Sequence, residues 1–145
     1  MHFTLHPRLE SDTTVLGDFP LSRVLLSKEA LGPWIILVPR VDELREIHHL
    51  PEQDQFQLMR ESSAIAALLE NDYQAEKINV GALGNLVPQL HLHHIARFSN
   101  DIAWPGPIWG NTDGTQRSDE LQAALAEELR VELSQIEGFS AIINN

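Results

Sequence analysis

The chain has 145 residues, with Lys+Arg 10 against Asp+Glu 21, a formal net charge of −11, 7 His and no Cys. That length suits one domain with a sizeable core, and the absence of Cys excludes disulfides and thiolate-bound metal. The acidic balance opposes binding to nucleic-acid backbones and anionic membranes, although a local patch can still admit a small anion.

The start of the chain, Met1 to Pro7, has neither the basic region nor the apolar region of a signal peptide. No apolar stretch, Trp34 to Val38 included, approaches the ~20 residues of a spanning helix. A cytoplasmic protein with no membrane partner is therefore expected. Ser22 to Ser27 reads as a strand, and Trp34 to Val38 as a central one ended by Pro39. The turn signal Ala30-Leu31-Gly32-Pro33 between them makes the pair an antiparallel hairpin. Pro51 suits the first turn of a helix running to about Asn71, with Leu58, Ile65, Leu68 and Leu69 on one stripe. Lys77 to Val80 is a third strand. Gly81 to Pro88 is a loop containing Gly84-Asn85, and Leu90 to Phe98 is a fourth strand.

Ser99 to Gln116 is irregular around Trp104 to Gly110. Ser118 is placed to cap a final helix, with Asp119 and Glu120 favoured in its first turn. Leu121, Leu125, Leu129, Leu133 and Ile136 form its apolar ladder, and Gly138 is placed to stop it. Glu127, Glu128, Glu132 and Glu137 lie mostly off that ladder, on a solvated face. Strands interrupted by one helix and followed by another predict an α+β domain over 1–145, with helices packed on an antiparallel sheet.

The informative segment is Gln89-Leu90-His91-Leu92-His93-His94-Ile95-Ala96-Arg97. Alternation along a strand puts Leu90, Leu92, Ala96 and Phe98 on one face with His94 among them. Gln89, His91, His93, Ile95 and Arg97 share the other. A polar sheet face without chemistry is one reading. A metal held by His91 and His93 is a second, but no third ligand follows at short spacing. A nucleophilic imidazole at a phosphate site is a third, with neighbouring donors on the phosphoryl oxygens.

Gln89-Leu90-His91-Leu92-His93-His94-Ile95 resembles the signature of the histidine triad (HIT) family, in its bacterial hydrolase-like branch, with Gln89 standing where the first motif His normally is. The likeness runs over about 20–100. Val24 to Pro39 resembles the family's hairpin, Pro51 to Asn71 its helix, Lys77 to Val80 its next strand, and Gly84-Asn85 its phosphate loop. The residues from 101 to 145 form a loop and a C-terminal helical extension outside that core. The resemblance implies an antiparallel five-stranded sheet, paired into ten strands in a homodimer, and a nucleotide hydrolase or transferase that needs no cofactor or metal. It places the nucleophile at His91, a phosphate-contacting imidazole at His93, and Gln89 beside them in the catalytic set. Asn79, Gly84, Asn85, Trp34 and Arg97 are the corresponding candidates for nucleotide contacts. Leu86 stands where many members have Ser or Thr, and Gln89 cannot carry a proton charge near neutral pH as His can.

Overall fold

A computed structural model describes residues 3–143. Its elements are α1 (Pro7–Asp12), β1 (Thr13–Asp18), β2 (Ser22–Ser27), β3 (Trp34–Pro39), α2 (Glu52–Tyr73), β4 (Lys77–Gly81), β5 (Leu92–Arg97), α3 (Asp119–Leu133) and β6 (Ser140–Ala141). All strand pairs are antiparallel, in the order β4-β5-β3-β2-β1-β6. Among the described residues the sheet therefore has six strands, one more than the resemblance implied. The additional short strand, β6, runs along β1 where Gly17 permits its approach. A Cβ on Gly17 would collide with the Ser140 carbonyl and the Phe139 ring.

The central strand β3 is buried along its whole length because both sheet faces are covered. On one face Val24, Leu26, Ile35, Leu37, Leu92 and Ala96 pack against Leu58, Ile65 and Leu69 of α2 and Ala126, Leu129 and Leu133 of α3. On the other, Leu25, Trp34, Ile36, Val38 and Ile95 meet Leu5 and Leu9 from the N-terminal segment, Val87, and Ile108 from the long loop before α3. The second face is covered by short and irregular pieces, and these leave room for a cavity.

Three helix expectations need correction. Leu121 is exposed, and the buried stripe of α3 is Gln122, Ala126, Leu129 and Leu133. A ladder of steps of four drifts about 40° around the helix at each step, so its first member leaves the core face. The helix also ends at Leu133 rather than at Gly138. Tighter turns follow it, from Gln135 N–H to the Glu132 carbonyl and from Ile136 N–H to the Leu133 carbonyl. Ser118 does cap α3, accepting from the Leu121 N–H at 3.2 Å. Pro51 is the N-cap of α2 rather than its first turn. The fourth strand is shorter than expected, and Leu90 and His91 precede it.

Candidate active site

β5 lies between β3 and β4, with Ile36 opposite His93 and Trp34 opposite Ile95. This register brings the Trp34 indole to His93 on the face away from the long helices. His91 and His93 are both buried, and their ring centroids lie 4.9 Å apart at 70°.

Each ring is fixed by a partner that can play only one role. His91 Nδ1 is 2.7 Å from the Gln89 backbone oxygen. A carbonyl only accepts, so Nδ1 carries the proton, and the neutral ring keeps its lone pair on Nε2. Trp34 Nε1 donates to His93 Nδ1 at 2.9 Å. An indole N–H only donates, so Nδ1 of His93 is bare and its proton is on Nε2. Burial, then the nearby His91 and His94, push the His93 pKa down to about 3, so the ring is neutral near pH 7. In their neutral forms the two adjacent imidazoles thus carry opposite tautomers.

Both rings border a cavity of about 680 Å³, within the size range of small-ligand sites. Trp34 and Ile36 line it from the sheet, the Gly84–Val87 loop from one side, and Arg8, Leu9 and Asp12 of α1 from another. Gly84 has a φ of 71°, a left-handed conformation that favours glycine. Trp109 closes part of the cavity, its ring 5.7 Å from that of His93 and packed over Gly81. Its indole nitrogen is buried without a partner among the described residues.

Of the candidates read from the sequence, His91, His93, Trp34, Gly84 and Asn85 line the cavity, whereas Gln89, Asn79 and Arg97 do not. The Gln89 amide turns to the N-terminal segment, accepting from His6 N–H and donating to the Thr4 carbonyl. The Arg97 guanidinium grips both oxygens of Asp101 at 2.7 and 3.0 Å, Asn79 Oδ1 at 2.7 Å and the Gly106 carbonyl at 2.8 Å. The hydrogen bonds from Arg97 hold the Asp101 pKa near 2. His94 points to the opposite face, bonded to Ser62 Oγ at 2.7 Å, and burial holds its pKa near 4. Arg8, Leu9, Asp12 and Glu29 border the cavity without having been singled out. The one local signal for α1 is His6-Pro7, a capping side chain followed by a proline suited to the first turn. Among the described residues no group of three or more His, Cys, Asp or Glu could hold a metal ion, and no helix is long and apolar enough to cross a membrane.

The HIT domain family model matches residues 8–100. The chain belongs to the HIT family. HIT proteins generally hydrolyse or transfer nucleotides. A crystal structure of a histidine triad protein from Marinobacter aquaeolei VT8 matches with 47% identity and a TM-score of 0.87, over 92% of this chain and 97% of that one. A histidine triad protein from Bradyrhizobium japonicum matches with 44% identity and a TM-score of 0.84, over 89% and 96% of the two chains. A HIT protein from Sinorhizobium meliloti 1021 matches with 41% identity and a TM-score of 0.83, over 90% and 95%. None of the curated proteins compared with it matches the chain significantly. The HIT fold accounts for the sheet with the His-bearing strand inside it, and the similarity to these bacterial relatives extends past the family model into the C-terminal part.

Proposed function

We propose that this HIT protein is a nucleotide hydrolase that cleaves a nucleoside phosphoanhydride or phosphoramidate at its α-phosphorus through His91. The pair of opposite tautomers beside the cavity carries this reading. His91 Nε2 offers its lone pair to phosphorus. As the N–P bond forms, the P–O or P–N bond to the leaving group breaks, and that group departs with the electron pair and takes up a proton. Water then attacks the nucleotidyl-histidine, releasing the nucleoside monophosphate and restoring the imidazole. His93, held neutral, donates its Nε2–H to a phosphoryl oxygen, which steadies the charge that builds up there. The exposed Asn85 amide beside Gly84 supplies a further donor at the cavity. In this chain Gln89 takes the first motif His position, and its backbone oxygen, which any residue would supply, orients His91.

The test is turnover of nucleoside phosphoramidates and dinucleoside polyphosphates by wild type and His91→Ala. The expected result is activity in wild type and a loss of at least about a thousandfold in the variant, since the nucleophile is gone. Equal inactivity of both would refute catalysis by this route.

A second reading is a nucleotide-binding module with little turnover. Leu86, 77% exposed at the cavity, offers no hydroxyl to a leaving group, and the Gln89 amide is engaged elsewhere. Calorimetric binding of a nucleoside monophosphate without hydrolysis would favour it. We also propose that two copies pair in the cytoplasm, as the family resemblance implies. The outer edge of β4, with Val80 exposed and no strand beside it among the described residues, supports this, because such an edge invites a partner strand. Sedimentation at the mass of a single chain would remove the dimer.

A further inference from the structure

Gln89 lies two residues before His91, yet its side chain acts outside the cavity. Oε1 accepts the His6 backbone N–H at 2.8 Å, and Nε2 donates to the Thr4 carbonyl at 2.9 Å. One amide thus satisfies a donor and an acceptor of the N-terminal segment, much as a neighbouring strand would. Helix α1 follows at once. His6 Nδ1 accepts the Arg8 N–H at 3.1 Å, Pro7 opens the helix, and Arg8, Leu9 and Asp12 border the cavity. At its far end the buried Thr13 hydroxyl donates to the Leu9 carbonyl at 2.6 Å. The helix thus has a bond closing its far end, and the long-range polar hold on its start is the Gln89 side chain. The same residue's main-chain oxygen takes the His91 Nδ1 proton at 2.7 Å. Gln89 is bonded to the nucleophile through its backbone and, through its amide, to the segment that leads directly into the cavity-lining residues of α1.

We infer that Gln89 is a positioning residue for substrate binding. Its amide sets where α1 stands relative to His91, and so how firmly a nucleotide is gripped against Arg8, Leu9 and Asp12. It takes no part in proton transfer. A neutral amide has no proton to give near pH 7, and both ends of this one face main chain rather than ligand. The inference rests on the nucleotide reading of the cavity given above. Leu5 and Leu9 also hold the segment by packing with Trp34, Ile36 and Val87, so loss of the amide bonds loosens α1 without detaching it.

The substitution Gln89→Met keeps length and volume, adds no charge beside His91, removes both amide bonds and leaves the backbone oxygen in place. Steady-state hydrolysis of an adenosine phosphoramidate and calorimetric titration with AMP should show KM and Kd rising about five- to twentyfold, the range for losing two modest hydrogen bonds. The kcat should change by less than about threefold, and its pH profile should keep its shape. Amide exchange at His6 and at Glu10, whose N–H bonds the His6 carbonyl, should quicken about tenfold. A collapse of kcat with KM unchanged, or a displaced limb in the pH profile, would place Gln89 in the chemistry and overturn the inference. Unchanged exchange at His6 and Glu10 would overturn it equally. If wild type neither turns over the phosphoramidate nor binds AMP, the nucleotide reading fails and takes the binding role with it, while the exchange rates still report whether Gln89 holds the segment.

Discussion

An indole N–H can give a hydrogen bond and cannot take one, so Trp34 decides which nitrogen of His93 carries the proton. Removing that donor should do more than lose one contact, because the freed Nδ1 can then take the proton and leave Nε2 without one to offer phosphate. Trp34→Phe is therefore expected to lower kcat about ten- to hundredfold, the range for leaving a buried acceptor unpaired and weakening one charge-stabilising donor. Nitrogen chemical shifts of His93 should move from a single Nε2–H tautomer towards a mixture. Trp34→His, which keeps a ring N–H, should recover part of both. An unchanged tautomer in Trp34→Phe would show that the cavity, not the indole, sets it. Strand alternation was enough to put His91 and His93 side by side. The part played by Trp34 was not legible, because it depends on the pairing of β3 with β5, 59 residues apart in sequence. Alternation also grouped Gln89 and Arg97 with the two histidines. Shared parity fixes the face of a sheet but not where along that face the cavity opens, and both side chains are bonded to backbone or side chains elsewhere.

At the level of elements, Arg97 organises the long loop between β5 and α3. Its guanidinium bonds Asp101 through two nitrogens, reaches across to Asn79 on β4, and takes the Gly106 carbonyl, while Trp104 packs 5.7 Å above it. An ammonium group cannot reproduce that planar fork. Arg97→Lys should therefore loosen residues 99–110, which carry Trp109 over His93. Limited proteolysis should cut within this loop several times faster than in wild type, and Trp109 fluorescence should shift to the red. Resistance equal to wild type would assign the order of the loop to Ile108 and Trp109 packing instead. The hairpin β2–β3, the helix α2 and the strands β4 and β5 were legible because each carries a contiguous apolar run or a stripe of its own. β1 and β6 were not. Thr13, Thr14, Gly17, Asp18 and Ser140 have little apolar pattern, and these segments become strands through the partners they pair with. Within α2, the burial of Glu61 and Ser62 was equally hidden. It depends on the Leu21 and Ser22 N–H groups bonding Glu61, and on His94 meeting Ser62.

For the molecule as a whole, the two faces of β5 each bury a histidine in its neutral form, His93 towards the cavity and His94 towards α2. The ordinary pKa of 6.5 is lowered to about 3 and about 4, in both cases chiefly by burial. Between pH 6.5 and 4 the unfolded chain therefore binds more protons than the folded one, and stability falls as the solution is acidified. The stabilisation is complete above the unfolded value of 6.5 and is lost as pH falls through the folded values. Asp101 adds a later loss between 3.8 and about 2, as protonation releases Arg97. The net charge of −11 acts in the opposite sense, since acidification towards the isoelectric point near 4.9 relieves repulsion among carboxylates. Magnitudes decide between them. Holding His94 near 4 instead of 6.5 corresponds to about 3 kcal/mol, whereas repulsion among exposed carboxylates is largely screened at 0.15 M salt. The urea midpoint at that salt should accordingly drop between pH 6.5 and 4.5, and more gently in His94→Leu, which has no second imidazole to charge. A wild-type midpoint that stays level or rises over that interval would mean either that charge relief wins or that the buried rings titrate close to their ordinary pKa, and an unchanged slope in His94→Leu would point to the second.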